Sequence, residues 1–333
     1  MLGFQGAKKL ASLAKPWFQD ARPFARQALL AYIDDGCARS EHKALVKRLF
    51  KQAEAAKDDE LMAHFMVAFD RLSRRLVVTL RQEWDSVAGT ARAVQGLVSD
   101  PLQRERLREE ERLPEFTRVT RRYLARRAFR YFRRLGYKDV VKYRRVVLPA
   151  LSLYRDEDLN TVGRLLSAWG LLHVLYGRSS VIERRPSGVR VTPGRTLAGL
   201  LPAPIFPKAW EEAFDDVMAL LLRAAARPVR SWAAMLLRSR YATELSKLGL
   251  AQVKRLALSQ NEEAQVLGTE LFSQLQGLEK AGLEDWLELL GAENLDVLSA
   301  VCDRATNVVS GARLSLAQCV DLVLSPAAPL ATL

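Results

Sequence analysis

Cysteine is scarce in this chain. Its 333 residues hold three, Cys37, Cys302 and Cys319, with no CxxC spacing, so neither a disulfide framework nor a thiolate zinc site is expected. A reducing compartment, the cytoplasm, follows as the expectation. Histidine is equally rare: His42, His64 and His173 lie far apart, and none has a His or Cys neighbour at helical spacing. No metal and no cofactor are therefore predicted. No apolar run reaches the roughly 18 residues that a bilayer crossing needs. The N-terminus, MLGFQGAKKLASLAKPWF, breaks its apolar residues with lysine and reads as an amphipathic helix. The glycine loops GxGxxG and GxxxxGK[ST] are absent, as is the GxSxG turn of a serine nucleophile. Each absence removes a class of enzyme, and the expectation is a non-enzymatic chain.

What is present is charge, unevenly placed. The formal net charge is +13. Residues 1–249 hold 46 basic and 27 acidic groups, whereas residues 250–333 hold 5 and 11. A basic body with an acidic end implies an anionic partner for the body, or contact between the two parts. The acidic clusters Asp156-Glu157-Asp158 and Glu211-Glu212 with Asp215-Asp216 read as a helix N-terminus and a solvated helix face.

Nearly every segment has helical spacing, so the fold class is all-α. In KALVKRLFKQAEAA (43–56), Leu45, Leu49, Phe50 and Ala53 share one face; Asp58 then opens a second helix with Leu61, Phe65, Phe69 and Leu72 on its stripe. Short breaks such as AAKDD predict helix hairpins. Residues 177–208 differ, with five prolines and four glycines. Val181-Ile182 and Val189-Arg190-Val191 flank Pro186-Ser187-Gly188, which predicts a short β-hairpin in an irregular insertion. Three parts result: a basic helical domain over 1–176, the insertion over 177–208, and a helical region over 209–333.

That last region repeats. LAQVKRLAL from Leu250, LEDWLELLG from Leu283 and LAQCVDLVL from Leu316 align without gaps at a period of 33 residues. Leucine recurs six positions on, at Leu256, Leu289 and Leu322, and a small turn follows each copy. A helix, a turn and a second helix per period is the pattern of an α-solenoid, whose helix pairs cover one another's apolar faces by stacking. The third copy stops at Leu333 on the apolar sequence LSPAAPLATL. Solenoid ends need a polar cap, so the expectation is that further C-terminal repeats, or self-association, cover this end.

The runs RPVRSWAAMLLRS (227–239) and LALSQNEEAQVLGTELFSQL (256–275) resemble bacterial HEAT-type repeat proteins. Glu263-Ala264-Gln265 with Gly268, and Arg227-Pro228-Val229-Arg230 with Ala233-Ala234, match the start of a HEAT helix. The likeness covers about residues 208–333 and is weak over 1–176, and the 33-residue period is shorter than the usual 40 or so. It implies a scaffold that binds proteins or nucleic acids along a curved surface.

The stretch RRYLARRAFRYFRRLG (121–136) carries seven arginines and no acid. With Leu124 at zero and about 100° per residue, Ala128, Tyr131, Phe132 and Leu135 fall on one side, and the arginines on the other. Gly136 is expected to end this helix, and DVVKYRRVVLPAL to begin its partner. The candidate surface is Arg122, Arg126, Arg127, Arg130, Arg133 and Arg134, joined by Lys142, Arg144 and Arg145. Like charges at i,i+4 repel by a few tenths of a kcal/mol per pair, so something anionic should face them. Three readings follow: acids of neighbouring helices, including REEER (108–112) and Asp156-Glu157-Asp158; the phosphates of a nucleic acid; or a membrane surface. The last is the weakest, because the apolar stripe is needed for the partner helix. Function is expected to be protein binding along a helical-repeat surface, with nucleic-acid binding through 121–135 as the first alternative and an unrecognised enzyme, which would need convergent acids near the 177–208 insertion, as the second.

Overall fold

The helical periodicity carries into the structure. A computed structural model describes residues 10–37, 42–72, 77–85, 90–97, 116–185 and 188–308, with positions 315, 317 and 320, and these are mostly helical. The chain forms two compact units, Met1–Trp210 and Glu211–Leu333.

The first unit begins with α1 (Ala14–Gln19), α2 (Pro23–Gly36), α3 (Lys43–Ala56) and α4 (Asp59–Leu72). The turn between α3 and α4 follows from its residues. Lys57 adopts a left-handed conformation (φ 56°) that stops α3, and an Asp58 oxygen accepts the Leu61 N–H at 3.0 Å to start α4. Leu61, Met62, Phe65, Met66, Val67 and Phe69 of α4 are all buried. A helix apolar on most of its circumference belongs at a centre, and α4 packs against α2, α3 and three later helices. Phe50, Phe65 and Phe69 form an aromatic cluster with centroids 5.3–5.4 Å apart.

The later helices are α5 (Arg118–Lys138), α6 (Val140–Leu153), the single turns α7 (Asp156–Leu159) and α8 (Val162–Leu165), and α9 (Trp169–Tyr176). Between α4 and α5 the structure departs from the helical expectation. Strands β1 (Val77–Asp85) and β2 (Thr90–Leu97) form an antiparallel hairpin with a register shift between Thr79 and Arg81. The β-branched run Val77-Val78-Thr79 was the available signal. In the proline-rich segment, β3 (Ile182–Arg185) pairs with β4 (Gly188–Val191), so the described residues hold two hairpins where one was expected.

The second unit contains α10 (Phe214–Arg223), α11 (Arg227–Arg240), the turn α12 (Ala242–Leu245), α13 (Leu250–Ala257), α14 (Glu262–Gln274), α15 (Leu283–Leu290) and α16 (Leu295–Val308). Helices α10/α11, α13/α14 and α15/α16 pack as pairs, and α14 packs against both α11 and α16. The inner face of α10 is Val217, Leu220 and Leu221. The 33-residue offset superimposes α13 on α15 and the starts of α14 and α16. It also pairs buried Val253 with Trp286, Leu256 with Leu289 and Ala257 with Leu290. Of the third copy only positions 317 and 320 are described, and Cys319 and the REEER segment lie outside the described residues.

Polar bonds link one helix pair to the next. Arg230, 9% exposed, donates to Glu263 at 2.9 Å and to the carbonyls of Ala224 and Ala225. Lys254 contacts Asp285 and Glu288, each at 2.6 Å. Asn261 donates to the Leu222 carbonyl at 2.8 Å, and Asn294, one period later, donates to Gln265 at 2.7 Å.

Candidate anion-binding face

Helix α5 begins where the Thr117 hydroxyl accepts the Thr120 N–H at 3.3 Å, and its 21 residues extend about 31 Å. Leu124, Ala125, Ala128, Phe129 and Phe132 are buried, which anchors one side. Gly136 does not end the helix, which runs on to Lys138. A Cβ at Gly136 would fall on the Phe206 ring, so this glycine is a close-packing position and not a cap. Asp139 then caps α6 by accepting the Lys142 N–H at 2.8 Å.

A buried carboxylate fixes what lies beneath α5. Asp70 of α4 accepts the N–H groups of Gly170 and Leu171, both at 3.0 Å, and the Tyr154 hydroxyl at 2.7 Å. It thereby serves as the N-terminal cap of α9 from 100 residues away. Burial pushes its carboxyl up to about 6, with the donors opposing. Its approach requires Gly170, where a Cβ would stand 2.7 Å from Met66. Helix α9, so held, sets His173 against Phe129 of α5, with ring centroids 4.6 Å apart. The His173 Nδ1 lies 2.7 Å from the Trp169 carbonyl. A carbonyl can only accept, so Nδ1 carries the proton. Burial holds His173 down at about 4, and the nearby charges of Arg184, Arg133 and Arg126 add to this.

The nine cations of the candidate surface separate into two groups. Arg127 is bound inward, donating through Nε and Nη2 to Glu54 of α3 at 3.0 and 2.6 Å. Lys142 stands 3.2 Å from Asp59, which also accepts the Tyr131 hydroxyl. Arg126 lies 4.9 Å from the Trp169 ring centre, Arg144 donates to the Ala209 carbonyl at 3.2 Å, and Arg122 is half-buried. Among the described residues, Glu54 and Asp59 are acids that pair with α5 and α6. Asp158 of the acidic triplet instead takes Arg71 at 2.8 Å.

Arg130, Arg133, Arg134 and Arg145 are exposed. Among the described residues, no hydrogen bond or ion pair engages any of the four. Tyr137 sits beside them at 75% exposure. Its ring is braced edge-on by Phe206, 5.1 Å away. Of the four aromatics in 121–136, Phe129 and Phe132 are buried, Tyr131 is bound to Asp59, and Tyr123 is 46% exposed. Sequence spacing missed Arg184, which the β3–β4 hairpin brings to His173 alongside Arg126 and Arg133. These arginines act on His173 through their charge, and no local pattern signals that α5 and β3 bring charge to one histidine.

Among the described residues, no three His, Cys, Asp or Glu side chains gather as a metal ion would require. No described helix is long and apolar enough to cross a membrane. Comparison with protein-family models, with curated proteins and with solved structures gives no match.

Proposed function

We propose that this chain is a non-enzymatic scaffold that binds a protein partner, its second unit acting as a short HEAT-like α-solenoid. The observation that carries the reading is a bonded bridge running over successive helix pairs. Gln265 donates to the Ser259 carbonyl at 2.7 Å and accepts from Asn294 at 2.7 Å. Each bridge residue has an exposed apolar chain neighbour: Leu258 at 37%, Val266 at 47% and Leu295 at 61% exposure. Apolar side chains held on a rigid polar frame are what a protein partner buries at the centre of an interface. The buried thiols of Cys37 and Cys302 suit a reducing, cytoplasmic setting.

The test compares wild type with the Val266→Glu/Leu295→Glu variant in quantitative affinity purification. Circular dichroism first establishes that the variant is folded. A protein recovered in fixed ratio with wild type and lost with the variant supports the reading. Identical recoveries with both would overturn it.

A further inference from the structure

The exposed arginines of α5 and α6 stand apart from that reading and carry an inference of their own. Of the nine cations the sequence placed on this surface, Arg127 and Lys142 are neutralised by Glu54 and Asp59. Arg126 and Arg144 are held by a ring and a carbonyl, and Arg122 is half-buried and partnered. Internal pairing therefore accounts for the part of the arginine wall that faces α3 and α4. It leaves Arg130, Arg133, Arg134 and Arg145 exposed and without a described acid. Arg130 and Arg134 are one turn apart and repel each other, and among the described residues no acid pairs with either.

We propose that these four arginines, with Tyr137, bind single-stranded nucleic acid through its phosphate backbone. Three observations favour this ligand. Arg130, Arg133 and Arg134 are exposed along one helix and Arg145 is exposed on the next, and planar guanidinium forks suit the phosphate oxygens of a backbone. Arg184 of β3, whose guanidinium donates to the Gly177 carbonyl, adds its charge to that of Arg133 at His173, so basic charge is not confined to one helix. The Tyr137 ring is solvent-exposed yet braced by Phe206. Such a ring is already ordered to stack on a base, and stacking needs an unpaired one. A lipid surface fits less well, because the large apolar residues Leu124, Phe129 and Phe132 point into the core, leaving no continuous apolar stripe to enter the bilayer.

The experiment is a salt titration by fluorescence anisotropy with a labelled 20-nucleotide single strand. Wild type is compared with the Arg130→Gln/Arg133→Gln/Arg134→Gln/Arg145→Gln variant and with Tyr137→Ala. A charge-matched control carries Arg223→Gln, Arg240→Gln, Lys247→Gln and Arg255→Gln, four exposed cations of the second unit. The expected result is strand binding whose log–log salt slope falls by about three in the α5/α6 variant, at about 0.7 per lost phosphate contact, and stays near wild type in the control. Tyr137→Ala should weaken binding roughly tenfold at unchanged slope. Parallel runs use a duplex of the same sequence and phosphatidylserine vesicles. Absence of strand binding, equal losses in the variant and its control, tighter duplex than strand binding, or arginine-dependent binding to vesicles alone would each overturn the proposal. Because none of the four arginines has a described bond, the variant should melt as wild type does, and a folding defect is read directly from that melt.

Discussion

Asp70 of α4 and Tyr154 at the end of α6 are joined by a 2.7 Å hydrogen bond inside the first unit, 84 residues apart in sequence. The same carboxyl starts α9, whose His173 supports the arginine helix. Two buried titratable groups therefore stand on one line beneath the candidate face, shifted in opposite directions.

Their opposition is measurable. Asp70 titrates at about 6 in the folded chain against 3.8 unfolded. The stability it contributes is present below 3.8 and lost as pH rises through 6. His173 titrates at about 4 against 6.5, so its contribution is present above 6.5 and lost as pH falls through 4. Each amounts to on the order of 3 kcal/mol, and they offset one another between pH 4 and 6.5. Asp70→Asn should lose stability relative to wild type on acidification from pH 7 to 4, and His173→Gln should gain. Urea unfolding at three pH values checks this; profiles parallel to wild type would disprove it. Other carboxyls titrate alike in all three proteins and cancel from the differences.

Arg127 and Glu54 bind α5 to α3, with both side chains about three-quarters covered. A double-mutant cycle with Arg127→Gln and Glu54→Gln should return a coupling of about 1 kcal/mol. Arg130→Gln should change stability by less than about 0.5 kcal/mol. Equal effects at Arg127 and Arg130 would mean that the inward and outward arginines are not distinct.

Gly268 lies where α14 crosses α13. A Cβ there would come 2.8 Å from the Ala257 Cα and the Leu256 carbonyl carbon, and backbone cannot step aside as a side chain can. Gly268→Ala should destabilise the second unit by about 1–3 kcal/mol. At Gly282 the nearest atom to a Cβ is Asp285 Oδ2 at 3.5 Å, and alanine there should be nearly neutral. Thermal unfolding of the two variants decides it.

Asn261 and Asn294 hold equivalent places one period apart but do different amounts of bonding. Asn261 makes one inter-pair bond. Asn294 makes one and also caps α16, its Oδ1 accepting the N–H groups of Asp296 and Val297 at 2.9 and 3.3 Å. Asn261→Ala should cost about 1 kcal/mol and Asn294→Ala about 2. Asn294→Asp should fall between wild type and Asn294→Ala, keeping the cap while losing the donor.

Much of this was legible in sequence wherever the cause was local. The α3–α4 turn, the apolar stripe of α5, the β3–β4 hairpin and the 33-residue offset of α13 and α15 all follow from spacing, turn residues or caps. The β1–β2 hairpin was not legible, because its run of β-branched residues is short and leads into charged and polar positions that also suit a helix. Gly136 read as a stop, since nothing local reveals a phenylalanine arriving from 70 positions downstream. The same limit applies at the candidate face. Spacing separated core from arginine correctly at Leu124, Ala128 and Phe132, but could not divide Arg127 from Arg130. That division depends on where Glu54 comes to rest, which is a fact of tertiary packing.

The inter-pair bonds of the second unit have a mechanical meaning. Arg230–Glu263, Lys254–Asp285 and Asn294–Gln265 each tie a helix pair to its immediate neighbour. In the solenoid proposed above, tension along the row of pairs would be met in steps, each helix pair releasing its own few bonds while the others hold. A partner gripping two or three pairs would therefore lengthen the segment that must give way together, and would act as a clamp on extension as well as a ligand.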